Sequence, residues 1–169
     1  RELILQELKE TNKESPYINC NKVIYAYSSN ICELFVNKIK NGHIVYVGGL
    51  ADGAIGIASA INAFYTRFDE TTYYYPFFVR KTEKNGRFIE QCFSMIPVVN
   101  ADSPAIIVDD VLTTGYSIAK AAAAINREWG YKPTLAVVLV DNEMGGKEFL
   151  LKKHGIECRS IFTRKEILG

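Results

Sequence analysis

Histidine is nearly missing from this chain: His43 and His154 are the only two among 169 residues. A histidine-centred catalytic triad or a His-rich metal cage is therefore out of reach. Cysteine is sparse as well. Cys20, Cys32, Cys92 and Cys158 lie far apart with no Cys-x-x-Cys pair, so they spell neither a zinc site nor a disulfide framework. They read as reduced, mostly buried thiols, which suits a reducing cytoplasm. Charge of one sign is lacking too: 20 Lys and Arg against 19 Asp and Glu leave a net +1. That is too weak a field to steer the protein toward nucleic acid or an anionic membrane. The longest apolar stretches, such as Ala105 to Val108 and Leu135 to Val140, fall far short of the roughly 20 residues that cross a bilayer. Arg1 to Lys9 mixes charge with Leu3, Ile4, Leu5 and Leu8, and reads as a short amphipathic helix without the apolar centre of a signal peptide.

What is present points to a single domain over 1–169, because 48% hydrophobic residues suffice for one core. Short apolar runs alternate with helical patterns: Ile44 to Val47 before Ala54 to Tyr65, then Tyr73 to Val79, then Ala105 to Val108 before Ile118 to Trp129. Leu135 to Val140 before Lys147 to Lys153 and a last run, Ile156 to Ile161, complete the series. This alternation predicts an α/β fold. Ala105 to Val108 and Ala136 to Val140 are apolar on both faces, as a mostly parallel central sheet flanked by helices requires. Ser28-Ser29-Asn30 can cap a helix that Asn41-Gly42 closes, and Gly130 and Pro133 end the one carrying Ala121 to Ile125. The lone Trp129 suits core or interface packing. The Tyr73 to Phe78 aromatics suit a core strand and a dimer contact. Between Val79 and Ala105 the rhythm breaks at Arg80 to Arg87 and resumes in a short strand-like Phe88 to Phe93, predicting a mobile flap or a hairpin over 80–97.

Chemistry is expected where strands end and helices begin, because backbone N–H groups there point at anions. Ile106-Ile107-Val108 runs into Asp109-Asp110, and Val111-Leu112-Thr113-Thr114-Gly115-Tyr116-Ser117 follows before a helix from about Ile118. Two acids for a sugar diol beside an amide-rich turn for a phosphate make a ribose-phosphate site. A helix cap alone needs one acid and no Thr-Thr-Gly. A second strand ends in glycines at Val47-Gly48-Gly49-Leu50-Ala51-Asp52-Gly53, and an Ala-rich helix follows. A third group, Arg80-Lys81-x-x-Lys84, places cations at the start of the flap.

At Asp109 to Ser117 the chain resembles the type I phosphoribosyltransferases, whose signature is a strand, two acids, two variable residues and a Thr/Gly/Ser-rich loop. Arg80-Lys81-x-x-Lys84 resembles the orotate phosphoribosyltransferase pattern Arg-Lys-x-x-Lys-x-His-Gly. Ser15-Pro16-Tyr17-Ile18, Leu139-Val140-Asp141 with Gly145-Gly146-Lys147-Glu148, Gly155-Ile156 and Ser160-Ile161-Phe162-Thr163 extend the likeness along nearly the whole chain. The resemblance implies a Rossmann-like fold with a small N-terminal hood at 1–27, and substrates 5-phosphoribosyl-1-pyrophosphate (PRPP) and a nucleobase, foremost orotate. It also implies Mg2+ and a homodimer whose flap reaches the neighbouring site. By the same resemblance Asp109 and Asp110 bind the ribose hydroxyls and, through water or substrate, the metal. Thr113, Thr114, Gly115, Tyr116 and Ser117 cradle the 5-phosphate, with the Tyr116 side chain turned away from it. Leu50, Ala51, Asp52 and Gly53 lie near the leaving pyrophosphate. Arg80, Lys81 and Lys84 meet it, the two lysines acting in catalysis.

Three departures stand beside the likeness. Asn142 replaces the Arg that helps hold the orotate carboxylate, and an amide cannot supply that charge-assisted fork. The flap has Asn85-Gly86 where the family has His, and Glu10-Thr11-Asn12 replaces Lys-Ser-Gly ahead of Ser15, with Lys9 or Lys13 in reach. A salvage enzyme for another base and a non-catalytic PRPP-binding regulator therefore remain open. A phospho-acceptor receiver domain does not, because too little chain follows Asp110.

Overall fold

A computed structural model describes residue 6 and residues 44–51, 53–65, 73–84, 87–94 and 104–168. The N-terminal helix apart from Gln6, the hood at 1–27, the helix expected after Ser28, Ser15 to Ile18, Cys20, Cys32, His43, Asp52 and the last flap residues 95–97 lie outside them.

Strand β1 (Ile44–Leu50) leads into helix α1 (Gly53–Tyr65), β2 (Tyr73–Lys84) into β3 (Arg87–Ser94), and β4 (Ala105–Leu112) into α2 (Tyr116–Trp129). β5 (Leu135–Asp141) leads into a short α3 (Gly146–Phe149), which widens into a π-helical turn over Leu150–His154, and β6 (Glu157–Thr163) into α4 (Arg164–Leu168). The six strands form one sheet in the order β3-β2-β1-β4-β5-β6. All neighbours are parallel except β2 and β3, which bears out the mostly parallel α/β sheet. The chain moves outward from β1 in one direction and from β4 in the other, so the topological switch lies between β1 and β4.

The two faces are covered by different helices. Val45, Val47, Ile106, Val108, Val137 and Leu139 pack against Ile57, Ala58 and Ile61 of α1, whereas Tyr46, Ile107, Ala136 and Val138 meet the Ala-rich side of α2. Strands buried on both sides explain the continuous Val/Ile runs. Trp129 closes the second face, its ring 5.3 Å from Tyr46 and 5.1 Å from Phe77. Of the aromatic cluster, Tyr74 and Phe77 are in the core while Tyr73 is exposed. Gly48 and Gly49 allow β1 to press against its neighbours, since a Cβ on either would collide with the carbonyl oxygen of Phe77 or Val108.

Several boundaries differ from the sequence expectation. β4 continues through Asp109 and Asp110 to Leu112, because Val111 and Leu112 keep pairing with Val140 and Asp141 of β5. Helix α2 starts at Tyr116 rather than Ile118. Helix α4 was not anticipated. A reciprocal cap starts it: Thr163 N–H donates to Glu166 Oε2 (2.8 Å) and Glu166 N–H to Thr163 Oγ1 (3.2 Å).

The flap segment is a hairpin. Its ladder runs from Phe77 opposite Ser94 out to Lys84 opposite Arg87. Phe78 and Phe93 stack at 5.4 Å, with the Arg80 guanidinium 5.1 Å from the Phe78 ring centre. Helix α2 grips the outer strand: Cys92 N–H donates to Glu128 Oε2 (3.1 Å), and the Arg127 guanidinium donates to the Glu90 carbonyl.

Candidate active site

Pairing between β1 and β4 stops at Gly48 opposite Ile107, while pairing between β4 and β5 runs on to Leu112 opposite Asp141. Asp109 and Asp110 therefore occupy a stretch of β4 with one open flank, at the switch point of the sheet. Helix α1 begins in that opening. A Cβ on Gly53 would collide with Asp109 Oδ1 and lie 2.8 Å from Asp110 Oδ1. The first two sequence motifs thus converge, and the amino end of a 13-residue helix faces the acid pair. Asp109 Oδ1 accepts the Asp110 N–H (3.0 Å) and Asp110 Oδ1 accepts the Val111 N–H (2.7 Å).

Gly53→Ala is expected to weaken phosphoribosyl binding more than it lowers the melting temperature. The carboxylates can swing aside from a new methyl, but only by leaving the positions they hold for a ligand. Calorimetric affinity beside a thermal melt checks this, and a purely thermal effect would refute it.

Burial, reinforced by the adjacent Asp110 charge, pushes the Asp109 carboxyl up to about 7 from 3.8. The folded chain then keeps a proton that the unfolded chain releases. The stabilising contribution is full below about pH 4 and is lost as pH rises through about 7. Asp109→Asn is expected to flatten this slope and to raise the melting temperature at alkaline pH by a few degrees. Melts of both proteins across this range test it, and parallel slopes would mean that the strain lies elsewhere.

Past Leu112 come Thr113 and Thr114, both exposed, then Gly115 at φ 83, and Tyr116 and Ser117 in the first turn of α2. Gly115 is required twice over: its φ is left-handed, and a Cβ would press on Leu150 and the Gly146 carbonyl at 3.0 and 3.1 Å. Tyr116 turns outward onto Phe149, ring centres 4.9 Å apart, as its bulk beside a phosphate turn requires. Leu50 ends β1, and the N–H of Ala51, just beyond it, donates to the Val79 carbonyl (2.6 Å). Since Leu50 lies opposite Val79, Arg80 to Lys84 continue past the end of β1 on the same side as the acids, on the order of 15 Å at about 3.3 Å per residue. Among the described residues no ion pair joins Arg80 or Lys81 to Asp109 or Asp110, so this third motif is near the other two but not docked on them.

Asn142 is half-buried, and its N–H donates to the Leu112 carbonyl (2.9 Å). The turn that follows was missed as a functional element. Glu143 sits at φ 57, Asp141 Oδ1 accepts its N–H (2.8 Å), and its own Oε2 accepts the Lys165 N–H (3.0 Å). Lys147 pairs with Asp141 at 3.1 Å. An acid closing a wholly apolar strand, followed by Gly-Gly-Lys, was the signal available.

Paired acids at the switch point, a glycine-bearing helix start on one side and a Thr-Thr-Gly turn on the other define the class: a type I phosphoribosyltransferase. No protein-family model matches the chain. Individual relatives do. It is 33% identical over 158 residues to the orotate phosphoribosyltransferase of Leptospira biflexa, spanning 89% of this chain and 80% of that one. The Mycobacterium tuberculosis orotate phosphoribosyltransferase in complex with PRPP aligns at TM-score 0.68 and 21% identity over 96% of this chain and 90% of that one. For the Aeropyrum pernix orotate phosphoribosyltransferase the values are 0.62 and 26%, over 90% and 81%. The chain belongs to the orotate phosphoribosyltransferase family.

Proposed function

We propose that this chain transfers the phosphoribosyl group of PRPP to orotate, forming orotidine 5'-monophosphate and pyrophosphate in pyrimidine biosynthesis. The convergence of Asp109, Asp110 and Gly53 beside the Thr113 to Ser117 turn carries the reading, because it unites acceptors for a diol with amide donors for a phosphate in one notch. In the reaction a ring N–H of the base gives up its proton to the departing pyrophosphate, the nitrogen bonds to the anomeric carbon, and the bond from that carbon to the pyrophosphate oxygen breaks. No protein nucleophile takes part. Asp109 and Asp110 accept the ribose hydroxyls, the turn holds the 5-phosphate, and Leu50 to Gly53 line the leaving pyrophosphate. Arg80, Lys81 and Lys84 supply donors where charge grows on that group. The β2–β3 hairpin closes over the site to exclude water from the sugar cation.

Among the described residues no three His, Cys, Asp or Glu side chains converge into a cage. Two adjacent carboxylates do suit Mg2+ shared with substrate oxygens and water, the habit of this ion. Asp109 and Asp110 would hold it, and its chemistry would be charge neutralisation on the pyrophosphate. A homodimer in the cytoplasm completes the proposal. It is supported by the family likeness and by a hairpin that extends beyond its own sheet.

Asn142 favours a second reading, transfer to a base without the orotate carboxylate. Incubation with PRPP, Mg2+ and orotate, uracil, adenine, guanine, hypoxanthine or xanthine, with products identified by mass, separates the two. Orotidine 5'-monophosphate supports the first, another nucleotide the second, and PRPP binding without any product a regulator.

A further inference from the structure

Among the described residues Asp141 is the only buried side chain that is charged or polar. It lies at the carboxyl end of β5 with 9% of its side chain exposed, paired at 3.1 Å with Lys147, whose side chain is 35% exposed. The Lys147 ammonium also donates to Ser160 Oγ at 2.8 Å. A buried ion pair is a poor device for stability, since apolar residues of similar size commonly serve as well or better. Its position suggests a different use. The pair spans the turn 142–146, and that turn backs the phosphate turn. A Cβ on Gly146 would lie 2.5 Å from the Thr113 carbonyl and 2.9 Å from the Leu112 side chain, and a Cβ on Gly115 would lie 3.1 Å from the Gly146 carbonyl. Asn142 N–H holds the Leu112 carbonyl at the other end. Glu143, in a left-handed conformation that non-glycine residues rarely adopt, is kept there by Asp141 and by the Lys165 N–H.

We propose that Lys147 is a positioning residue: by neutralising Asp141, it lets the 142–146 turn stand as the wall against which Thr113 to Gly115 take the shape that binds the 5-phosphate. The proposal rests on the phosphoribosyl reading of the site.

The pair should respond asymmetrically. Lys147→Met leaves a buried carboxylate unpaired and is expected to weaken PRPP binding about tenfold or more. Asp141→Asn keeps an oxygen for the Glu143 N–H and frees Lys147 to reach solvent, so affinity should stay within about threefold. The double variant, with no charge left to neutralise, is expected to recover to within about threefold of the parent. Titration calorimetry with PRPP and Mg2+, well below each melting temperature, reads all four proteins. Unchanged affinity in Lys147→Met with only a lower melting temperature would reduce the pair to a structural brace, and a double variant as weak as the single would remove Asp141 from the argument. Each result overturns the proposal. A flat titration of the parent protein would overturn it together with the phosphoribosyl reading. PRPP binding by a parent that yields no orotidine 5'-monophosphate would cost only the orotate assignment, and the four affinities would still decide the role of Lys147.

Discussion

Changing Asp109 and Asp110 together to Asn is expected to lower PRPP affinity by about 100-fold or more. A hydrogen bond to a charged group contributes roughly 1.5–3 kcal/mol, and the pair offers at least two to the ribose. Asn keeps the shape and one acceptor oxygen, but loses the charge and presents an NH2 group that competes for the same hydroxyls. Stability should move the opposite way. Two carboxylates packed against Gly53 repel each other, and burial holds one of them protonated up to about 7, so the double variant should melt higher than the parent at alkaline pH. Reduced affinity with increased stability is the mark of a functional strain. Intact affinity by calorimetry would refute the diol assignment.

Lys84→Ala is expected to cut turnover by about 10²- to 10³-fold, the usual cost of a single donor to developing charge, while PRPP affinity changes only a few-fold. Lys84 is the last residue of β2, opposite Arg87 at the far end of the hairpin ladder. A donor at that distance from the acid pair contributes only when the hairpin lies over the site, hence to the transition state more than to the resting complex. Steady-state kinetics beside direct binding would show the split. Unchanged turnover would remove the hairpin from the mechanism.

The fold was legible where local pattern and tertiary burial agree. Val/Ile runs buried on both faces, as in Leu135–Asp141, have no reading but a covered parallel strand. Gly130 and Gly155, both at φ 68, end their helices as any left-handed glycine does. Legibility failed where long-range pairing decides. Asp109 and Asp110 look like a strand terminus, yet the β5 ladder carries β4 past them, and only the absence of β1 on their other flank opens the notch. The aromatic ribbon of β2 continues through a polar stretch because β3 pairs with it as far as Lys84. For the same reason the Asp141–Lys147 pair escaped notice. Six residues apart in sequence, its members meet only because α3 folds back over the end of β5.

The grip of Arg127 and Glu128 on β3 bears on how copies of this chain can meet. An outermost strand with free carbonyl and amide groups invites another chain to add itself as the next strand. At Glu90 and Cys92 those groups are already engaged by α2, so this border of the sheet is sealed there against strand-on-strand growth. At these two positions the dimer proposed above would have to use side chains rather than a continued strand ladder.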